Sequence, residues 1–397
     1  MNTSVVRDNV YWVGYVDWDV RDFHGYSTTR GSTYNSYLIK DKDVAIIDSV
    51  KAPYYKYLLD NIRSLVSFDE VKYVVCNHAE PDHSGSIPIL MQECKNAVIV
   101  CNDKCKSALS MHYDTKSWKF MVVDESSTLS LGTCTLKFIN TPMAHWPESM
   151  ATYLPEKKIL FSMDGFGQHF ASSGRFDFEE NIITVLHEAK KYYANIVMLY
   201  GKQIKSVLDK TSNIEIDIIA PSHGVMWSKY ITEIIERYRR WTEHKPVAKV
   251  LIFFDTMWKS TSLMADAIYE GALLDGVMVK KFDLKNTDIT NIAIETLESA
   301  AIAVGTPTLN KSFMPKVGEV LTYLKGLAPQ GKSAIAFGSY GWAKKSGQHD
   351  VLEILKQMNC NLLLEEPIQS QYVPTPEVLE KCREAGKLLA QTALKYK

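Results

Sequence analysis

The chain contains no C-x-x-C pair, and its seven cysteines (Cys76, Cys94, Cys101, Cys105, Cys134, Cys360 and Cys382) are scattered and odd in number. That pattern suits neither a disulfide framework nor a Cys₄ metal knuckle, and reduced core thiols are expected. No apolar run approaches the roughly 18 residues that cross a bilayer. The opening residues MNTSVVRDNVYWVG also lack a basic stretch followed by an apolar one. The expectation is a cytoplasmic protein without a membrane partner. An excess of charge is missing too. With 45 Lys+Arg against 46 Asp+Glu the formal net charge is −1, which leaves no basic surplus for a phosphate backbone and argues against nucleic acid as a partner. Fixed-period repeats and low-complexity tracts are absent as well.

A hydrophobic fraction of 46% and a charged fraction of 23% are those of a globular protein, and 397 residues suit two domains better than one. Strands are expected at Val10–Val16, Tyr34–Ile39, Val44–Asp48, Val71–Cys76, Ala97–Cys101 and Thr135–Ile139, with a helix over Pro53–Leu65. A charged helix, ITEIIERYRRWTEH, then gives way to an abrupt apolar strand, VAKVLIFF. A new α/β unit begins in this way, so the boundary is placed at residue 246, giving domains 1–246 and 247–397. The second domain repeats strand then helix: strands Val250–Phe254, Val277–Phe282, Ala300–Val304, Ser333–Phe337 and Leu362–Glu365, with helices Ser262–Leu274 and Pro376–Leu394. Short apolar strands separated by helices predict a doubly wound parallel sheet.

Four potential metal ligands crowd the loop after the strand ending at Cys76: His78, Glu80, Asp82 and His83, with Gly85 beyond them for a tight turn into a helix. One such residue alone reads as a surface group or a helix cap; four within six residues read as a metal site. The pattern resembles the H-x-H-x-D-H signature of metallo-β-lactamase-fold hydrolases, with Glu80 in place of the second histidine. Imidazole-rich sites suit zinc, whereas mixed imidazoles and carboxylates suit iron that changes oxidation state. H-x-E-x-D-H is similar to the motif of the flavodiiron family.

The resemblance extends downstream to His145 in PMAHWPES, Asp164 in MDGFGQH and His223 in APSHG. It implies one iron on His78, Glu80 and His145, a second on Asp82, His83 and His223, and Asp164 as the bridge. Family members differ in whether the residue at His83 faces its iron. The segments RDFHG and KYYAN also resemble the family and bring His24 and Tyr192 to the open face of the irons as hydrogen-bond donors, with His169 as a third candidate. Tyr192 and Tyr193 also read as half-buried amphipathic aromatics without a chemical role.

In the second domain, Asp255-Thr256-Met257-Trp258-Lys259-Ser260-Thr261 follows the first strand and opens a helix. A hydroxyl-rich loop at a helix N-terminus holds a phosphate through backbone N–H groups and the Thr256, Ser260 and Thr261 hydroxyls, as flavodoxins hold FMN. An ordinary Ser/Thr cap is the plain alternative. Two further loops after strands, Gly305-Thr306-Pro307-Thr308-Leu309-Asn310 and Gly338-Ser339-Tyr340-Gly341-Trp342, would meet at the same sheet edge. Their glycines would let backbone approach the flavin, and Tyr340 and Trp342 offer flat apolar surface to it. Lys259 stands where free-standing flavodoxins carry glycine, a departure that flavodiiron proteins tolerate.

The resemblance covers nearly the whole chain, from Tyr11-Trp12-Val13-Gly14 to the last helix. It implies a metallo-β-lactamase-like αββα sandwich with two non-haem irons, followed by a flavodoxin-like domain with FMN. The implied activity is reduction of dioxygen to water or of nitric oxide to nitrous oxide. It further implies a head-to-tail homodimer or a dimer of such dimers, with Trp342 near the junction. A separate electron donor is implied as well: rubredoxin, with a reduced deazaflavin coenzyme as the alternative. Two rivals remain at this point, a zinc hydrolase fused to a flavodoxin domain and a non-enzymatic electron carrier.

Overall fold

Val44–Ile47, Val71–Val75 and Val98–Cys101 are short runs dominated by β-branched residues, which fit a pleated, two-sided surface. In the computed structural model, which describes residues 3–397, they form the parallel centre of a seven-stranded sheet. Phe120–Val122 continues it in parallel on one side. Tyr37–Ile39, Val10–Trp12 and Ser4–Arg7 extend it antiparallel on the other. A five-stranded sheet follows in the order Thr128–Ser130, Thr135–Asn140, Met150–Leu154, Ile159–Met163, Ile218–Pro221.

The two-residue period of the strands sorts their side chains between two cores. Ala45 and Ile47 point into a cluster shared with Leu136, Phe138, Ile159 and Phe161 of the second sheet. Val44 and Ile46 point the other way, onto Leu58 and Ile62 of the helix Tyr55–Arg63. The sheets are thus joined by an apolar layer and the first is backed by helices. The loops at the ends of their strands are left to carry chemistry.

The chain divides into two compact units. The first runs to Tyr193 and includes Lys202–Arg239; the second comprises Ala194–Gly201 and Arg240–Lys397. In the second, all strands pair in parallel in the order Met278–Asp283, Lys249–Phe254, Ala301–Gly305, Ser333–Tyr340, with Asn361–Leu362 and Ile368–Gln371 both on the last. Every residue of Lys249–Phe254 is buried, as the first strand of a doubly wound sheet requires. The chain leaves this strand to one side and returns on the other, and that reversal opens a crevice at the carboxyl ends.

Several expected elements differ. The strand expected over Val10–Val16 splits into Val10–Trp12 and Tyr15–Asp17, and that expected over Tyr34–Ile39 into Ser32–Tyr34 and Tyr37–Ile39. Tyr15–Asp17 and Ser32–Tyr34 leave the main sheet and pair with each other. Leu362–Glu365 is reduced to Asn361–Leu362, and the residues that complete this edge are Ile368–Gln371. The helix Pro376–Leu394 stands at its expected limits. Among the described residues no helix is long and apolar enough to cross a membrane.

Candidate metal centre and flavin cleft

All seven candidate ligands lie in loops at strand ends of the first unit. His78, Glu80, Asp82 and His83 follow Val71–Val75, Asp164 follows Ile159–Met163, His223 follows Ile218–Pro221, and His145 lies between Thr135–Asn140 and Met150–Leu154. They form two buried groups, His78, Glu80, His145 and Asp164 in one and Asp82, His83 and His223 in the other. Asp164 faces both. Its Oδ2 lies 3.6 Å from His78 Nε2 and 3.3 Å from His145 Nε2; its Oδ1 lies 3.2 Å from His83 Nε2 and 3.6 Å from His223 Nε2. Glu80 Oε2 stands 3.1 Å from His78 Nε2 and 3.3 Å from His145 Nε2. The Asp82 oxygens stand 3.3 Å from His83 Nε2 and 3.2 Å from His223 Nε2.

These spacings fit shared cations. Ligand atoms about 2.1 Å from one ion lie roughly 3.0–3.4 Å from each other. Hydrogen bonding does not account for the arrangement, because both oxygens of Asp82 and Asp164 and both ring nitrogens of His83 are buried without a hydrogen-bond partner. Burial would raise the Asp164 carboxyl, yet His83 and His145 hold it well below the usual carboxylate range. Against the lowering effect of burial, Asp82 and Asp164 push His83 up to about 9, and Asp164 and Glu80 push His145 up to about 9. A pocket that draws protons this strongly draws cations for the same electrostatic reason. Four imidazoles with three carboxylates are a donor set suited to iron.

The far sides of the rings are fixed by residues the sequence did not single out. Nδ1 of His78 is 2.7 Å from Glu148 Oε1, and Nδ1 of His223 donates to the Thr33 carbonyl at 2.6 Å. Each contact keeps the Nε2 lone pair turned inward. Glu148 follows His145 in the PMAHWPES segment, and an acid close to a metal-type histidine was the signal that could have found it. Gly85 differs from expectation. Its backbone is helical, with no need of a left-handed turn, but a Cβ there would lie 2.3 Å from the Pro81 carbonyl oxygen. Backbone strain gathers nearby, with positive φ at His24, Met143, Met163 and Phe166.

The three candidate donors border this site. Half-exposed His24 places Nε2 2.6 Å from Glu80 Oε1, and that contact raises its pKa. Tyr192 is buried; burial, then Asp164, pushes its phenol well above the usual range, which keeps its proton in place. The half-buried reading of Tyr192 and Tyr193 is corrected: both are fully buried, and Tyr193 packs on Tyr238 at 5.2 Å between ring centres. His169 lies edge-on to His223 at 4.7 Å; burial, then the His223 ring, pushes its pKa well down.

In the second unit a cleft of about 770 Å³ is lined by Met257, Trp258, Ser260, Pro307, Thr308, Leu309, Asn310, Ser339, Tyr340, Gly341 and Trp342, all expected from the sequence, with Lys311, Ala343, Tyr372 and Val373 in addition. Its volume suits a cofactor. Thr256 and Thr261 lie behind the lining and are buried. Thr261 Oγ1 is 3.4 Å from Ser339 Oγ, whereas Thr256 Oγ1 is buried without a partner. That orphan hydroxyl beside the N-terminus of the helix Ser260–Ala272 fits a phosphate. Lys259 sits at φ +68°, the left-handed conformation that favours glycine there. Gly338 serves packing instead of flavin approach, since a Cβ would lie 1.8 Å from the Thr306 carbonyl oxygen. Tyr372 and Val373 were missed because the strand before them, Ile368–Gln371, was not expected.

Comparison with known proteins agrees with both sites. Residues 33–224 match the model of the ODP family beta lactamase, and residues 252–386 match that of flavodoxin. A nitric oxide reductase of Moorella thermoacetica is 41% identical over 390 residues, covering 97% of each chain. The crystal structure of the flavodiiron protein from Giardia intestinalis superposes with a TM-score of 0.97 at 40% identity, covering 100% of this chain and 98% of that one. Rubredoxin oxygen:oxidoreductase from Desulfovibrio gigas does so with a TM-score of 0.96 at 34% identity, covering 99% of each. Fold and sites define a two-domain flavoprotein oxidoreductase with a dinuclear metal centre. The chain belongs to the flavodiiron protein family, and the zinc-hydrolase and electron-carrier readings are set aside.

Proposed function

We propose that this chain reduces nitric oxide to nitrous oxide and dioxygen to water, using FMN in domain 247–397 and two irons in domain 1–246. His78, Glu80 and His145 would hold one iron, Asp82, His83 and His223 the other, with Asp164 between them. The observation that carries the reading is the two-sided Asp164 carboxylate, one oxygen facing His78 and His145 and the other facing His83 and His223. When bound, FMN supplies electrons and the irons hold and reduce the gas.

The protein's own groups keep the site dry and orient what enters it. Glu148 and the Thr33 carbonyl hold the His78 and His223 rings with Nε2 inward. Tyr192, His24 and His169 border the same space and offer hydrogen bonds to a polar diatomic. In the flavin cleft, Thr256, Ser260 and Thr261 would bind the phosphate. Met257, Trp258, Pro307, Thr308, Leu309, Asn310, Ser339, Tyr340, Gly341 and Trp342 would enclose the ring and ribityl chain. A rubredoxin is the proposed electron donor, in line with the name of the Desulfovibrio gigas protein, and a reduced deazaflavin coenzyme is the alternative. The proposed working form is a cytoplasmic head-to-tail homodimer or a dimer of such dimers.

The test is single turnover of the reduced, anaerobic protein mixed with nitric oxide or with dioxygen while flavin absorbance is followed. Fast reoxidation with either gas, slowed in His145→Asn, is the expected result. Slow reoxidation by both gases with iron and FMN bound defeats the proposal.

A further inference from the structure

Reducing either gas builds negative charge on it, and at a buried site that charge needs a hydrogen-bond donor already in place. His169 is the side chain whose donor state the structure constrains. The ring is buried and edge-on to His223 at 4.7 Å, to Tyr192 at 5.1 Å and to Phe23 at 4.5 Å. On one side, Nδ1 stands 2.5 Å from Tyr26 Oη, with the two rings coplanar to within 3°. On the other side, Nε2 is buried without a partner.

A neutral imidazole carries one N–H, and the hydrogen bond made by one nitrogen decides whether the other bears it. Between a phenol and an imidazole, the phenol O–H is the stronger donor and the ring nitrogen lone pair the stronger acceptor. Tyr26 O–H therefore donates to Nδ1, and the single ring proton goes to Nε2. We infer that Tyr26 is a positioning residue that locks His169 in its Nε2–H tautomer, making this N–H a donor to the gas bound beside His223. The inference rests on the reductase reading for its purpose, though the tautomer itself does not depend on it. Without the Tyr26 hydroxyl, nothing at Nδ1 selects this tautomer, and the alternative turns a lone pair toward the growing negative charge.

The experiment uses FMN-loaded, ¹⁵N-histidine-labelled protein with zinc in place of paramagnetic iron. Long-range ¹H–¹⁵N spectra are recorded, with the His169 signals identified by their loss in His169→Gln. Expected are a pyrrole-like Nε2 and a pyridine-like Nδ1 in the unmodified protein, changing to a tautomer mixture in Tyr26→Phe, which removes one oxygen and keeps the ring. In the iron enzyme, Tyr26→Phe should lower kcat about tenfold with KM for the gas unchanged. A pyrrole-like Nδ1 in the unmodified protein, or the same tautomer after Tyr26→Phe, overturns the inference. The unmodified spectrum decides by itself if the variant does not fold. A correct tautomer in an enzyme that reduces neither gas refutes the reductase reading instead, so the two failures are distinct.

Discussion

Glu148 and His78 form a buried pair, with Glu148 Oε1 2.7 Å from His78 Nδ1 and the same oxygen accepting from the Ala79 N–H at 3.2 Å. The carboxylate thus orients a metal-facing ring and ties down the loop that carries it.

Removing that carboxylate leaves the His78 and Ala79 N–H groups buried and unpaired. Glu148→Ala is expected to weaken metal affinity about 10–100-fold, the usual consequence of losing such a partner. Competition with a coloured chelator measures it. Unchanged affinity would show that Glu148 does not orient the ring.

The metal groups hold three carboxylates and four imidazoles in a dry site, so a bound cation should contribute to stability. Stripping the metal with a chelator is expected to lower the melting temperature. At metal concentrations about 100-fold above Kd the difference is ~2.7 kcal/mol. Reloading should release protons and weaken as pH falls, because ligand nitrogens and oxygens must shed protons to bind. Calorimetry in buffers of different ionisation enthalpy reads the proton release.

In the flavin cleft the buried, unpartnered Thr256 hydroxyl is expected to bond the cofactor phosphate. Thr256→Val keeps the shape and removes the hydroxyl. It should weaken FMN binding by about 1.5–3 kcal/mol, the worth of a hydrogen bond to a charged group. Titration of apoprotein by quenching of FMN fluorescence tests this, and equal affinity in the variant rejects the role.

Gly338 allows the loop after Ser333–Phe337 to lie against Thr306, where a Cβ would come within 1.8 Å of a carbonyl oxygen. Gly338→Ala is expected to shift backbone on both sides of the cleft. It should lower both FMN content on purification and thermal stability, read from the absorbance ratio and from calorimetry.

The sequence by itself determined the ligand types, their order and the two kinds of site. Crowding of His78, Glu80, Asp82 and His83 in one loop is a local fact, and Thr256, Ser260 and Thr261 at a helix start are another. Long strongly patterned elements such as Pro376–Leu394 were legible for the same reason. The tertiary structure decided what depends on distant segments meeting. Asp164 faces both groups only because Ile159–Met163 pairs beside Ile218–Pro221. Glu148 reaches His78 across 70 residues, and Tyr26 reaches His169 across 143. Tyr372 and Val373 reach the flavin cleft through the short strand Ile368–Gln371, which is held by pairing with Phe337–Tyr340 more than by its own side chains. Local pattern specifies which groups a chain offers; long-range strand pairing and burial set which of them share a dry pocket, and there electrostatics gives them their chemistry.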